Sequence, residues 1–399
     1  MTRLTRCFMV IAALVTLVSA IEARTWRVEK DGSGDFVILY EAIDAAAAGD
    51  TIRIGPGRFE EYRYEPDYAR ETYCCANITT PDLTLLGAGA EQTVIGLEAY
   101  DPHLEHFVIG ILCNTVDVTI RGLTVNGVQG GVELFEASNI EMSDCRFTDC
   151  RINVVLGGST GVTIENCLLA GWHSSGLFSQ FPDNVSVLNC EFLDGMGPFA
   201  IAAVGGDGWV VRDCVVRDCT AGIQFEQGAT GVVERCHVQT SGGNAPAIGL
   251  LSGASMSLYD NHFEDDGYAA HLGTNGPLVT AENNVFIGGP YTCLLIGLTP
   301  VDFRQNHIIN GGGHSVLAQW EQGDLEEPYR LDLTGNYWGT TDPAQIAAWI
   351  DDYHDHHPME GRHFVIVDYE PFEDQPVEVE QHSWSEVKEL FRGQAGDGR

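Results

Sequence analysis

The sequence predicts an all-β fold, a single-stranded parallel β-helix of roughly a dozen turns capped by helices at both ends. Three observations predict it. Ten segments share one position, read down as Leu123, Cys145, Cys167, Cys190, Cys214, Cys236, Asn261, Asn284, Asn306 and Asn336, at intervals of 22 to 25 residues with a last one of 30. A fixed period of this length marks a chain that stacks one supersecondary unit on the next. The segments also share a pattern. Val118-Thr-Ile-Arg-Gly-Leu-Thr-Val, Val162-Thr-Ile-Glu-Asn-Cys-Leu-Leu and Val185-Ser-Val-Leu-Asn-Cys-Glu-Phe each begin apolar, polar, apolar, which is a short strand with one face inward. Finally, the windows lack the 3.6-residue period that a helical repeat requires.

The elements follow in chain order. Residues 1–23 read as a signal peptide: Arg3 and Arg6 precede an apolar run over 8–18, and small residues follow at Ser19, Ala20 and Ala23. The run is short for a transmembrane helix, and no later stretch is long enough to span a bilayer. The expected location is therefore secreted, periplasmic or cell-surface, with no membrane span after signal cleavage. Residues 24–345 form the β-helix. Its N-terminal cap is an Ala-rich helix over 40–48, with Ala42, Ile43 and Ala46 on one face and Gly49 as its stop. Thr51-Ile-Arg-Ile then begins the first strand. Within each repeat, a strand such as Gly222-Ile-Gln-Phe-Glu precedes the apolar–polar–apolar strand, and a third short strand follows the ladder residue. Residues 346–399 form a C-terminal capping segment and tail. Asp342 and Pro343 are an N-cap and N1 pair ahead of a helix over 344–352, and 364–367 reads as a late strand. Ser383-x-x-Glu386 opens a last amphipathic helix with Trp384, Val387, Leu390 and Phe391 on one side.

A slot that accepts Leu, Cys and Asn in turn is an inward stacking position. Its five cysteines pack there as small hydrophobes rather than as disulfides or zinc ligands. With turns ~4.8 Å apart, the four asparagines can hydrogen-bond side chain to side chain and to the bend backbone. Cys74, Cys75 and Cys113 lie outside the ladder, and a bridge among them is open.

Asp31-Gly-Ser-Gly-Asp-Phe, Tyr40-Glu-Ala-Ile-Asp-Ala-Ala and Gly49-Asp-Thr-Ile-Arg-Ile-Gly-Pro-Gly-Arg-Phe-Glu-Glu resemble the opening of pectin methylesterases and other pectin-lyase-like β-helix proteins. Gly335-Asn-Tyr-Trp-Gly-Thr-Thr-Asp-Pro resembles the close of many bacterial right-handed β-helix repeat proteins. The resemblance covers most of residues 26–345. It implies a right-handed coil and ligands along the outer face of one sheet. Many family members are lyases, polygalacturonases, esterases or alginate-modifying enzymes. Their catalytic motifs are missing, with no Gly-Arg-Pro-Trp, Gln-Asp-Thr, Asn-Thr-Asp, Gly-His-Gly, Arg-Ile-Lys or Trp-Ile-Asp-His stretch.

The charge balance narrows the partner. With 21 Lys+Arg against 57 Asp+Glu, the net charge is −36, and lysine occurs only at Lys30 and Lys388. Such a surface repels nucleic acid and anionic lipid, and it repels polyanionic sugars unless cations such as Ca²⁺ bridge the two. The expected partner is a polysaccharide or cell-surface glycan; the oligomeric state is open.

Period-2 alternation identifies the outward residues of the strand preceding each unit. With Ile223 and Phe225 inward, Gln224 and Glu226 point out, and register adds Phe178, Gln180, Ala202, Val204, Gly249, Leu251, His271, Leu295, Leu317 and Gln319. Phe178, Gln180 and Gln224, with Trp172 and His173 as a stacking platform at a bend, are the candidate carbohydrate contacts. Glu226 and His271 are the best acid–base pair, two turns apart. Asp207, Asp265 and Asp266 are loop acids that could join them. The strip is either open, and then a binding surface, or covered by loops 62–73 and 102–106. Asp355, His354, His356 and His357, with His363 nearby, could hold Ca²⁺ or another divalent metal; a solvated helix end is the alternative. Asp31-Gly-Ser-Gly-Asp35 looks like part of a Ca²⁺ loop but reads as a turn. Arg121, Arg212 and Arg304 share an outward slot with Glu165, Glu234 and Glu282, a mixed-sign surface ladder. Three functions fit: recognition of extracellular polysaccharide along the outer sheet, a polysaccharide lyase or glycoside hydrolase with a non-standard site, or a structural and adhesive surface module.

Overall fold

A computed structural model describes residues 23–66, 71–241, 245–273, 278–318, 329–355 and 365–376. The chain coils into three long parallel sheets of 12, 11 and 13 strands, called sheets 1, 2 and 3 in the order each turn visits them after the ladder unit begins. Sheet 1 holds strands such as Val116–Arg121 and Thr160–Glu165, sheet 2 holds Thr124–Asn126 and Leu168–Ala170, and sheet 3 holds Gly130–Phe135 and Ser175–Gln180. Each strand pairs with the strand one turn earlier and one turn later. Val118, Ile140, Val162 and Val185 therefore stand in one column. One continuous apolar cluster fills the coil from Val28 to Val367.

The corner between sheets 1 and 2 explains the residue preceding each ladder position. Asp144, Asn166, Asn189, Asp213, Asp260 and Asn283 have φ of 54°, 52°, 50°, 53°, 56° and 58°. That left-handed conformation turns the chain sharply, and Asp and Asn tolerate it better than most residues. The ladder residue that follows is turned inward. All ten ladder residues are at most 3% exposed. Asn261 Nδ2 donates to Asn284 Oδ1 at 2.9 Å, Asn284 Nδ2 to Asn306 Oδ1 at 3.0 Å, and Asn306 Nδ2 to Asn336 Oδ1 at 2.9 Å. Cys74, Cys75 and Cys113 carry free, buried thiols, as do all the described cysteines, so no bridge links these three.

The caps depart from expectation in an added first strand and in helices that end three residues early. The first strand is Thr25–Val28, ahead of the helix, and it pairs in parallel with Thr51–Ile54. Helix α1 spans Leu39–Ala45 and buries Leu39, Ala42 and Ile43 over the open end. It ends before Ala46 because that residue has turned extended, with ψ of 143°. At the far end, helix α2 spans Pro343–Trp349, and the Asp342 side chain accepts from Ala344 N at 3.0 Å as its N-cap. Ile350–Asp351 then adds a last rung to sheet 3, and Val365–Asp368 pairs with Tyr329–Asp332. At the N-terminal edge of sheet 3, Arg63–Glu65 lies antiparallel on Thr72–Ile78, which blunts an otherwise exposed parallel edge. The amphipathic run 383–391 and the signal residues 1–22 lie outside the described residues. Among those described, no helix is long and apolar enough to cross a membrane.

Candidate functional site

The outer face of sheet 3 has the register that alternation predicts. One outward column runs Asn77, Leu112, Glu133, Val155, Phe178, Ala202, Gln224, Gly249, His271, Leu295, Leu317. A second column, two residues further along each strand, holds Gly157, Gln180, Val204 and Glu226. Their alternate neighbours Leu177, Ile201, Ile223 and Phe225 fill the core. The face is covered at its N-terminal end and open beyond. Leu112 is 0% and Glu133 7% exposed, in a small outer cluster of Cys74, Ile109 and Leu112 with Phe107 and Phe135. From Val155 onward the column is mostly half-buried, and Gln180 is exposed.

Phe181, missed by the sequence reading, completes this strip. It follows Gln180 at the corner, is 62% exposed, and takes a left-handed φ of 50°. A Cβ on Gly205, one turn on, would lie 2.4 Å from its ring. The Cδ1–Cε1 side of the ring therefore packs against bare glycine backbone, and most of the side chain is open to solvent. A bulky residue in the left-handed region is uncommon, but sequence gives no direct sign of that conformation. Tyr291, 63% exposed, stands at the corner between sheets 2 and 3 further along.

Trp172 is not a stacking platform. It is 0% exposed, with its ring edge-on to Phe192 at 6.3 Å. A Cβ on Gly195 would meet the indole at 2.1 Å, so that glycine leaves the space the ring fills. Its neighbour His173 does reach the corner. Nε2 lies 3.0 Å from Asp149 Oδ1, and Tyr100 stands over the imidazole at 4.5 Å between centroids. Asp149 also accepts from Tyr100 N at 3.0 Å, so His173 and Asp149 together anchor the 98–104 loop.

Glu226 and His271 do not form a pair. They lie in adjacent columns two turns apart, ~10 Å at the spacing of sheet rungs. Among the described residues no hydrogen bond joins them. Gln224 Nε2 donates to Glu226 Oε1 at 3.5 Å, and burial pushes the His271 pKa down. Two of the three loop acids have partners elsewhere. Asp207 accepts from Thr230 Oγ1 at 2.9 Å, and buried Asp265 accepts from Thr240 Oγ1 and the backbone of Tyr268. Asp266 is exposed.

The acidic and histidine run after α2 serves the backbone where it is described. Asp352, 5% exposed, accepts from His354 N and from Val367 N, each at 2.8 Å, and Asp355 accepts from Asp352 N at 3.2 Å. Asp352 holds the strand Val365–Asp368 and Asp355 closes the turn before it, while the His354 ring stands edge-on to Tyr353 at 5.9 Å. His356, His357, His363 and Gln319 lie outside the described residues. Among the described residues, no group of three or more His, Cys, Asp or Glu is disposed to hold a metal ion. Asp31 is a turn residue, accepting from Ser33 N at 2.9 Å. The mixed-sign slot on sheet 1 is a true column, in which Arg212 and Glu234 form an ion pair.

The model for the right-handed β-helix region matches residues 109–245 and 152–310, together half of the chain. The chain belongs to this family. No curated protein matches it by sequence. Among solved structures, an alginate lyase from Paenibacillus sp. str. FPU-7 is 16% identical, with a TM-score of 0.51 over 69% of this chain and 99% of that one. The A-module of the Azotobacter vinelandii mannuronan C-5 epimerase AlgE4 is 12% identical, with a TM-score of 0.51 over 75% of this chain and 81% of that one. A DFA-IIIase from Arthrobacter chlorophenolicus A6, solved with DFA-III, is 13% identical, with a TM-score of 0.53 over 82% of this chain and 88% of that one. At this identity the likeness is one of fold.

Proposed function

We propose that this protein binds an extracellular or cell-surface polysaccharide along the outer face of sheet 3, without acting on it. The observation that carries the reading is the strip of Phe178, Gln180, Phe181 and Gln224. It combines aromatic side chains and an amide on one rung of a rigid sheet with a second amide two rungs on, across Ala202 and Val204. Ring faces stack on the apolar side of a sugar, and amides exchange hydrogen bonds with hydroxyls. The repeat along the coil suits a repeating ligand. Sugar-directed proteins of the same fold, such as the alginate lyase and the epimerase, lend support. Binding is favoured over turnover because Glu226 and His271 stand apart and the loop acids Asp207 and Asp265 are engaged by hydroxyl and backbone partners. A secreted, periplasmic or surface location follows from residues 1–23.

A glycan array with the mature chain tests the reading. It predicts at least one polysaccharide hit. That hit should weaken tenfold or more in Phe178→Ala combined with Phe181→Ala, with circular dichroism unchanged. An undiminished hit in the double variant would move the site off this strip. Release of reducing or unsaturated ends from the bound glycan, abolished by Glu226→Gln, would replace binding with catalysis.

A further inference from the structure

We infer that the strip selects uncharged polysaccharides and rejects polyuronates; this rests on reading the strip as a glycan surface. Residues 175–318, which supply it, contain no Lys and four Arg. Each of these arginines sits elsewhere. Arg212 and Arg304 are on sheet 1, where Arg212 pairs with Glu234 and Arg304 with Asp302. Arg217 is on sheet 2 beside Asp218. Arg235 is at the corner between sheets 1 and 2, bonded to Asp213 at 2.8 Å. Arg151, which is exposed, precedes the strip by one rung, its carbonyl accepting from Ser174 N. In sequence, residues 242–244, 274–277 and 319–328 add no Lys or Arg, and the last adds Glu321, Asp324, Glu326 and Glu327.

The charge that does face the strip is negative. Glu226 is half-buried in its second column. His271 contributes no compensating cation near neutrality, since burial favours its uncharged ring. A polyuronate laid along the strip would bring carboxylates toward Glu226 and would find no Lys or Arg on the strip's own rungs, in a chain of net charge −36. A neutral glycan meets no such cost. Its hydroxyls take up the amides of Gln180 and Gln224, and its apolar faces take up Phe178 and Phe181. Divalent bridging would need a cluster of acids, and among the described residues none of three or more converges.

Calorimetric titration separates the possibilities, using soluble neutral glucans, mannans and galactans beside alginate and polygalacturonate. The inference predicts a neutral ligand whose Kd changes less than about twofold between about 0.01 M and about 0.15 M NaCl, because no ion pair is screened. It predicts polyuronate binding at least tenfold weaker. Glu226→Lys should narrow that gap at low salt by raising polyuronate affinity. Tighter binding of a polyuronate than of any neutral glycan, in the wild-type chain with chelator present, would overturn the inference while leaving the glycan surface standing. Binding of neither class would remove the glycan reading itself.

Discussion

The two halves of the coil fill the same interior slot with different chemistry. From Cys145 to Cys236 each thiol lies 3.2–3.4 Å from the carbonyl two residues before it, and 3.4–3.7 Å from a carbonyl in the turn below. The single S–H can serve only one of them at a time. From Asn261 to Asn336 the amide Nδ2 reaches the equivalent carbonyl at 2.8–2.9 Å, and the first three also bond to the next Asn Oδ1. The direction of bonding is conserved across the change. In the lower half the backbone N–H of Cys167, Cys190 and Cys214 is aimed at the sulfur one turn up, and in the upper half the N–H of Asn261, Asn284 and Asn306 donates to Oδ1 one turn up at 3.0 Å. One slot thus has one hydrogen-bond geometry. Sulfur satisfies it weakly and the amide fully, which explains how the sequence can pass from Cys to Asn without altering the coil.

The largest effect should come from breaking the fully satisfied half. Asn284→Ala removes five bonds and leaves Asn261 N and Leu258 O buried without this partner, while Glu282 O keeps the Asp260 N–H. A loss of about 4 kcal/mol is expected, since each orphaned buried group costs about 1–3 kcal/mol. Cys190→Ala forfeits only weak sulfur contacts and a small volume, and should cost about 1–2 kcal/mol. Urea denaturation of the two variants measures the difference. Equal losses would mean that amide and thiol do the same job.

This ladder was legible in the sequence because a turn of fixed length forces equivalent residues into register. The outward columns were legible for the same reason, and Phe178, Gln224, Gly249, His271, Leu295 and Leu317 stand where alternation puts them. What escaped depends on contacts between turns that carry no periodic mark. Trp172 is buried because Gly195, a turn later, has no side chain. His173 is occupied because Asp149 stands a turn earlier at the same corner. Phe181 lies over Gly205 only because its own backbone is left-handed. Asp352 accepts from Val367 N, fifteen residues away in sequence, a contact that no local pattern marks. The strand Thr25–Val28 was missed because its partner, Thr51–Ile54, lies on the far side of a helix.

A second test probes the junction, where Cys236 and Asn261 are followed by His237 and His262. These imidazoles stack at 4.6 Å with 20° between their planes on the outer side of sheet 2. Burial, and then the charge of His262, pushes His237 down to about 4 from 6.5. Burial also lowers His262, opposed by Glu264. Both groups are neutral in the native state where an unfolded histidine would take up a proton. Their contribution is therefore present in full above pH 6.5 and is lost as pH falls toward about 4. For His237 the loss is about 3 kcal/mol over that window. Urea midpoints measured across it should fall steeply in the wild type and less in His237→Gln. A slope unchanged by that substitution would place the acid sensitivity elsewhere, away from the junction.

The smallest effect sharpens the comparison most. If the slot has one geometry, Cys236→Asn should extend the amide ladder downward by a rung at little cost. Its Oδ1 would receive the Cys214 N–H, which already points at the Cys236 sulfur. Its Nδ2 would reach Val211 O, now 3.6 Å from that sulfur, and Asn261 Oδ1, which the Cys236 N–H already meets at 2.9 Å. Asn is only slightly larger than Cys, so the change in stability should stay within about 1 kcal/mol. The same substitution at Cys190 puts an amide between two sulfur rungs. There Nδ2 finds Ile164 O, but the turn above offers Cys214 instead of an Oδ1. One amide proton is left without a strong acceptor, and a further loss of about 1–2 kcal/mol is expected. Thermal denaturation of the two variants ranks them. A Cys236→Asn protein no more stable than Cys190→Asn would show that the boundary between the halves is set by packing volume, not by the hydrogen bonds that run through it.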